Sequence, residues 1–338
     1  MIARRTVSFE ARGADGRMQE QTGILHLPPT RPPTAGFPVV VYGHMTTGGS
    51  RRSAPSLGDP SHPEWRRMSQ GDVLCDMLVA RGIAVLRPDY EGIGGDGIHP
   101  YLIGSSLAES MRAMVRARSS LDPTLGDRWV AAGHSEGAFA ALHASVAPVD
   151  GARLVGTAAF APVTRMDVSI GLSRRVPLRF PGSGVVSALI GLMLRGAAVE
   201  DERMLQLIRG EGLSPRAQDL WRDLDRLCLT ELAAAESWGG LAPGRIGGAS
   251  GDELFARLDA SFRANDVAAL AGFAAPVRID AARFDEVAPA PFTAAMLRQY
   301  RRAGVDLTSR WWPTHHSGTM HPAHAPSAAA DWIAALLR

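Results

Sequence analysis

The chain has 338 residues, 46% of them hydrophobic, and a formal net charge of +2 from 36 Lys+Arg against 34 Asp+Glu. That length is enough for a large core built as one α/β domain plus an insertion, and the near-neutral balance excludes the polybasic surface that nucleic acid or an anionic membrane demands. Every cationic side chain is arginine, so a Walker phosphate loop, a pyridoxal Schiff base and a Ser-Lys dyad, each of which needs a lysine amine, are excluded as well.

Met1 to Arg5 runs directly into an alternating segment without an apolar leader, and no run approaches a membrane span. The expectation is a soluble chain with no integral membrane segment, cytoplasmic, or secreted if a leader was removed. Val7 to Arg12 and Gln19 to Leu27 alternate in polarity around Gly13-Ala14-Asp15-Gly16 and predict an antiparallel hairpin at a sheet edge. After a proline-rich link, Val39 to Tyr42 is wholly apolar, as a strand covered on both faces must be. Val73, Leu74, Met77 and Leu78 form a helical stripe that stops at Gly82, and Ile83 to Leu86 is the next buried strand. A helix over 106–119, a strand, a helix and another strand over 154–160 follow. Alternation of this kind implies a mostly parallel sheet with right-handed crossovers and helices on both faces.

The rhythm breaks over 163–274, where helical stretches at 185–194, 203–209, 217–236 and 253–264 predict a helical cap (lid) inserted into a core domain made of 1–162 and 275–338. Strands resume at 275–281 and 305–312, with helices at 292–303 and 327–338. Cys75 and Cys228 are far apart in helical-looking segments, so two buried thiols are expected rather than a disulfide framework.

Within this scheme Arg128 to Leu142 reads as a short buried strand, a turn around Ser135 and a helix that starts at once. That is a nucleophile elbow, in which Gly133 and Gly137 remove β-carbons where strand and helix nearly touch. A serine hydroxyl needs an imidazole to take its proton and a carboxylate to orient that imidazole, and behind such an elbow they follow in the chain order Ser, acid, His. Ser135, Asp285 and His316 satisfy that order, each in a loop after its own strand. Glu286 and Asp280 are alternatives for the acid, and His315, His321 and His324 lie near the chosen histidine, with His315 the next choice. The N–H of Glu136 and that of Met45, with Thr46 close behind, are the expected oxyanion donors. His44, Thr46, Tyr90 and His134 are assigned to the substrate pocket.

Two rivals are weaker. The four C-terminal histidines lack the Glu of H-E-x-x-H and any cysteine partner, so no metal is expected. Gly92 to Gly97 matches G-x-G-x-x-G, but His99-Pro100-Tyr101 stands where the dinucleotide helix should open, so no cofactor is expected and the run is read as a glycine-rich active-site loop.

Tyr42-Gly43-His44-Met45-Thr46-Thr47-Gly48 with Ala54-Pro55-Ser56, Pro88-Asp89-Tyr90-Glu91-Gly92-Ile93-Gly94, His99-Pro100-Tyr101-Leu102 and Gly133-His134-Ser135-Glu136-Gly137 together resemble the secretory-lipase-type branch of the α/β-hydrolase superfamily and its bacterial esterase relatives. The resemblance covers most of 38–162 and, more weakly, 275–338; 163–274 is unmatched. It implies the α/β-hydrolase fold, a mostly parallel sheet of about eight strands with an inserted helical cap. It also places His44-Met45 at the family's usual H-G, so that a methionine stands where glycine is usual, and Ser53 where members often carry a cysteine, so that disulfide is not expected.

The reading is therefore a serine hydrolase that cleaves carboxylic esters, esterase- or lipase-like, through an acyl-enzyme. Its partner is a small-molecule ester with an apolar group, not nucleic acid. The oligomeric state is left open. The alternatives are amide or peptide cleavage by the same triad, or a non-catalytic hydrolase-fold protein that holds a ligand.

Overall fold

The computed structural model describes residues 3–338. Two long strands open the chain, β1 (Ala3–Arg12) and β2 (Met18–Leu27), paired antiparallel as a hairpin. They are followed by β3 (Phe37–Gly43), the short α1 (Trp65–Met68), α2 (Asp72–Val79), β4 (Ala84–Pro88), α3 (Gly104–Arg116) and α4 (Arg118–Leu121). The next unit is β5 (Leu125–His134), α5 (Glu136–Ala144) and β6 (Arg153–Phe160). Six helices then run without a named strand among the described residues: α6 (Met166–Ser173), α7 (Ser183–Ala197), α8 (Glu202–Arg209), α9 (Pro215–Asp219), α10 (Leu229–Leu232) and α11 (Gly251–Ala264). The chain ends with β7 (Val277–Ala282), α12 (Ala290–Arg302), β8 (Leu307–Trp312) and α13 (Ala325–Leu337).

The eight strands form one sheet in the order β1-β2-β4-β3-β5-β6-β7-β8. The β1/β2 and β2/β4 pairs are antiparallel and all the others parallel, which is the α/β-hydrolase architecture. Central β3 and β4 are buried on both faces because helices cover both sides. On one face α2 and α13 bring Leu74, Leu78 and Ile333 onto Val40, Val85 and Val130. On the other, a larger apolar cluster joins α3 and α5 to the helices between β6 and β7, through Met111, Leu142, Leu192, Leu224, Trp238 and Phe255. That intervening segment leaves β6 and returns to β7, which pairs with β6 directly. Cys75 and Cys228 are buried free thiols, and no helix among the described residues is long and apolar enough to cross a membrane.

The helix expected over 217–236 is not continuous. It is divided into α9, a 3-10 turn at Trp221–Asp225 and α10. The break lies at Cys228, which is extended (φ −83°, ψ 170°) because Gly48 forms a β-bridge with it and the Leu229 N–H donates to the Thr47 carbonyl at 2.8 Å. Leu220, Leu224, Cys228 and Leu232 are all buried as the apolar spacing implied. Periodicity reports which side chains are covered, and here it reported that correctly while the backbone changed state between them. Helix α6 had no counterpart among the expected elements.

His26 on β2 is buried with its Nε2 unpartnered. Burial first, then the charges of Arg87 and Arg4, lower its pKa to about 3. An unfolded histidine titrates near 6.5, so between those values the unfolded chain binds the extra proton and stability must fall as pH falls through that window. His44 and His134 are lowered by burial in the same direction. The urea midpoint should therefore drop on going from pH 7 to pH 5, and His26→Gln should drop less than the wild type; an identical drop in both would show that His26 does not contribute.

Candidate active site

The turn between β5 and α5 places Ser135 at φ 58°, ψ −116°, a left-handed conformation that a non-glycine residue holds only when its surroundings dictate it. They do so here through the backbone: the Ser135 N–H donates to the Phe160 carbonyl at 2.9 Å, and its own carbonyl accepts from the Phe139 N–H at 3.0 Å. Gly133 and Gly137 have the steric role expected of them, since a Cβ on either would collide with backbone carbonyls, that of Gly137 and that of Gly43. Gly43 belongs to the same contact. A Cβ there would stand 2.6 Å from the Tyr90 hydroxyl oxygen and 2.8 Å from Gly137 Cα.

The loops after β7 and β8 bring the other two residues to the serine. His316 Nδ1 lies 2.9 Å from both carboxylate oxygens of Asp285, an acceptor only, so Nδ1 carries the hydrogen. That leaves the Nε2 lone pair to accept from the Ser135 hydroxyl at 2.8 Å. Asp285 is held in turn by the N–H groups of Val287 (2.9 Å) and Ala288 (2.6 Å). The other candidates are placed elsewhere. His315 is exposed. Asp280 is engaged by Arg278 at 2.7 and 3.0 Å and by the Trp312 indole N–H at 2.9 Å. Glu286 accepts the backbone N–H of His316 at 3.0 Å, so it supports the histidine loop rather than the ring. His321 and His324 sit ring to ring beyond the site.

The four side chains assigned to the substrate pocket are all buried and bonded within the scaffold. His44 Nδ1 donates to the Met45 carbonyl at 2.7 Å, and Tyr90 stacks on His44 and donates to its carbonyl at 3.1 Å. The Thr46 hydroxyl meets the Tyr101 hydroxyl at 2.9 Å. His134 Nε2 donates to the His316 carbonyl at 3.2 Å beneath the imidazole. Burial, with the neighbouring His316 charge as a second cause, holds His134 well below the ordinary histidine range. It therefore stays neutral beneath the His316 ring. Met45 is buried in the loop after β3, and Glu136 opens α5, where a helix leaves its first N–H groups without an internal acceptor.

Sequence reasoning did not find His99. The glycine-rich loop after β4 turns through Gly92, Gly94 and Gly97, all at positive φ, and α3 opens only at Gly104, so no helix N-terminus faces those glycines. Instead the loop returns to the elbow, where His99 Nε2 lies 2.7 Å from Glu136 Oε1 with both side chains fully buried. The only signal for this was the resemblance of His99-Pro100-Tyr101 to its family counterpart.

Ser135 itself is 6% exposed. A crevice with room for about one water lies between α5 and the intervening helices, lined by Leu102, Phe139, Met166 and Phe262 and by the charged Arg165 and Asp266. A cavity of about 670 Å³ is at the opposite end of the sheet, among Phe37, Arg81, Gly126 and Arg128. It faces the amino ends of the parallel strands, whereas ligands of open α/β sheets bind at the carboxyl ends, where Ser135, Asp285 and His316 are.

A family model described as secretory lipase matches residues 67–337. Comparison with curated proteins returned no match. Among solved structures, the chain is similar to Candida antarctica lipase A in its closed state, at 14% identity over 93% of this chain and 73% of that one, with a TM-score of 0.75. It is also similar to a putative hydrolase from Legionella pneumophila, at 15% identity over 100% and 91% with a TM-score of 0.77. The rice cell wall degrading esterase LipA from Xanthomonas oryzae matches at 17% identity over 99% and 91%, with a TM-score of 0.73. At these identities the solved structures speak to the fold.

Proposed function

The chain belongs to the secretory lipase family and is a carboxylic ester hydrolase, and from that premise we propose that it cleaves its substrate through an acyl-enzyme on Ser135. His316 takes the hydroxyl proton as the serine oxygen attacks the ester carbonyl, and Asp285 balances the imidazolium that forms. The tetrahedral oxyanion is received by the N–H groups of Glu136 and Met45. His316 then returns the proton to the leaving alcohol, and a water activated by the same imidazole releases the acid. The observation that carries this reading is the unbroken hydrogen-bond chain from the Ser135 hydroxyl through His316 to Asp285.

Residues 163–274 act as the cap. They share the core of the sheet domain, and their Cys228–Leu229 stretch is bonded to Thr47 and Gly48, next to the proposed oxyanion loop. Ser135 is buried at 6% exposure, and the cap moves to admit the ester. The test is labelling with a fluorophosphonate and hydrolysis of p-nitrophenyl esters of increasing acyl length, run beside amide and peptide substrates. Wild-type protein should be labelled at Ser135 and turn over the esters, and Ser135→Ala should do neither; labelling of the alanine variant at the wild-type rate would end the assignment.

A further inference from the structure

Glu136 donates the oxyanion N–H in the reading above, yet its side chain lies on the far side of the same residue, buried and turned toward the loop after β4. Its Oε1 meets His99 Nε2 at 2.7 Å, and its Oε2 is buried without any hydrogen-bond partner. His99 is therefore the carboxylate's only polar contact among the described residues. The other ring nitrogen, Nδ1, stands 2.9 Å from the Glu91 carbonyl oxygen, which can only accept. Nδ1 must then carry a hydrogen, and the Nε2–Oε1 contact must hold a second one, on either atom. Written as imidazolium with carboxylate or as imidazole with carboxylic acid, the pair bears no net charge.

The same short stretch of chain also holds the second oxyanion loop. Tyr90 donates to the His44 carbonyl, Tyr101 meets the Thr46 hydroxyl, and His99 lies between them in the chain, with ring centroids 6.0 Å from Tyr90 and 5.9 Å from Tyr101. Residues 90–101 thus touch the loop after β3 on one side and, through His99, the residue after the nucleophile on the other. Resting on the acyl-enzyme reading, we propose that His99 and the Glu136 side chain are a positioning pair: they hold the Glu136 N–H in register with the donor at Met45 and, as a pair without net charge, place no uncompensated carboxylate beside the oxyanion. Neither side chain touches the substrate. Their effect falls on the transition state, because the two donors are needed only when charge develops on the carbonyl oxygen.

The experiment compares kcat and KM for one p-nitrophenyl ester in wild type, His99→Phe, Glu136→Ala and Glu136→Gln. Concentrations are normalised to sites titrated by fluorophosphonate, so that unfolded protein does not enter the rates. His99→Phe leaves the carboxylate with no partner, and Glu136→Ala removes the tether. Each should lower kcat about 10²-fold with KM within about threefold. Glu136→Gln, whose amide can donate to Nε2, should recover at least tenfold of what Glu136→Ala loses. Should His99→Phe not fold, His99→Gln and the two Glu136 variants carry the same comparison. Folded variants with wild-type kcat, or a glutamine variant no better than the alanine one, would overturn the positioning role. If wild type itself is neither labelled nor active, the acyl-enzyme reading fails first, and the two failures are distinguishable.

Discussion

Replacement of His316 by alanine is expected to lower kcat for a p-nitrophenyl ester by about 10⁴- to 10⁶-fold, the loss that follows when a serine has no base to take its proton. The geometry makes this sharper than a general statement about histidines. His316 Nε2 is the atom 2.8 Å from the Ser135 hydroxyl, while the adjacent His315 is exposed, so His315→Ala should change kcat less than about twofold. Asp285→Asn keeps the shape but can present an amide to Nδ1, favouring the wrong tautomer, and should cost about 10⁴-fold. Glu286→Gln still accepts the His316 N–H through its amide oxygen and should cost less than about tenfold. The four variants, assayed on one ester at one pH, rank the roles: a larger loss for Glu286→Gln than for Asp285→Asn would reverse the assignment of the acid.

Gly137→Ala should unfold or severely destabilise the protein, by about 3–5 kcal/mol, although it adds a single methyl group to a helix. A β-carbon at that position would overlap the Gly43 carbonyl at the end of β3 and stand 2.8 Å from the His44 carbonyl oxygen. Relief would require parting β3 from β5, the two central strands of the sheet, or withdrawing α5 from both. An interior packed to crystal density has no slack for either movement. Gly171→Ala, in α6 with nothing within 4 Å of the added carbon, is the control. It should be neutral or stabilising by up to about 1 kcal/mol through helix propensity. Urea denaturation of the two variants checks the pair, and a midpoint for Gly137→Ala close to that of wild type would mean that the elbow is looser than its contacts imply.

Much of this molecule is legible in the order of its amino acids. The strands and crossover helices can be read because their apolar residues repeat at the spacing of the element they build, as in Val39 to Tyr42 or Leu74 to Leu78. The elbow is legible because its constraint is local, with two glycines flanking a serine between a strand and a helix. Asp285 and His316 can be named since each follows a strand, at the end of a parallel sheet where ligands gather. Helix α6 and the interruption at Cys228 are not legible in this way, and the second depends on Gly48, far away in the chain, pairing with that residue.

Chain order and local pattern were sufficient for the fold, and they supplied the proposed nucleophile and the order of its proposed partners, because each of these is written within a few residues of itself. His316 was preferred to His315 on loop position alone, but only the tertiary structure put its ring 2.8 Å from a serine 181 positions earlier and gave Glu286 to the backbone, since one residue's difference in a loop decides which ring points where. The His99–Glu136 pair belongs to the same class. Its members lie 37 residues apart in segments with no shared period, and they meet because the loops after β4 and β5 converge at the same end of the sheet. Side-chain pairing across loops is a property of where the sheet puts them, and no local pattern of residues records it.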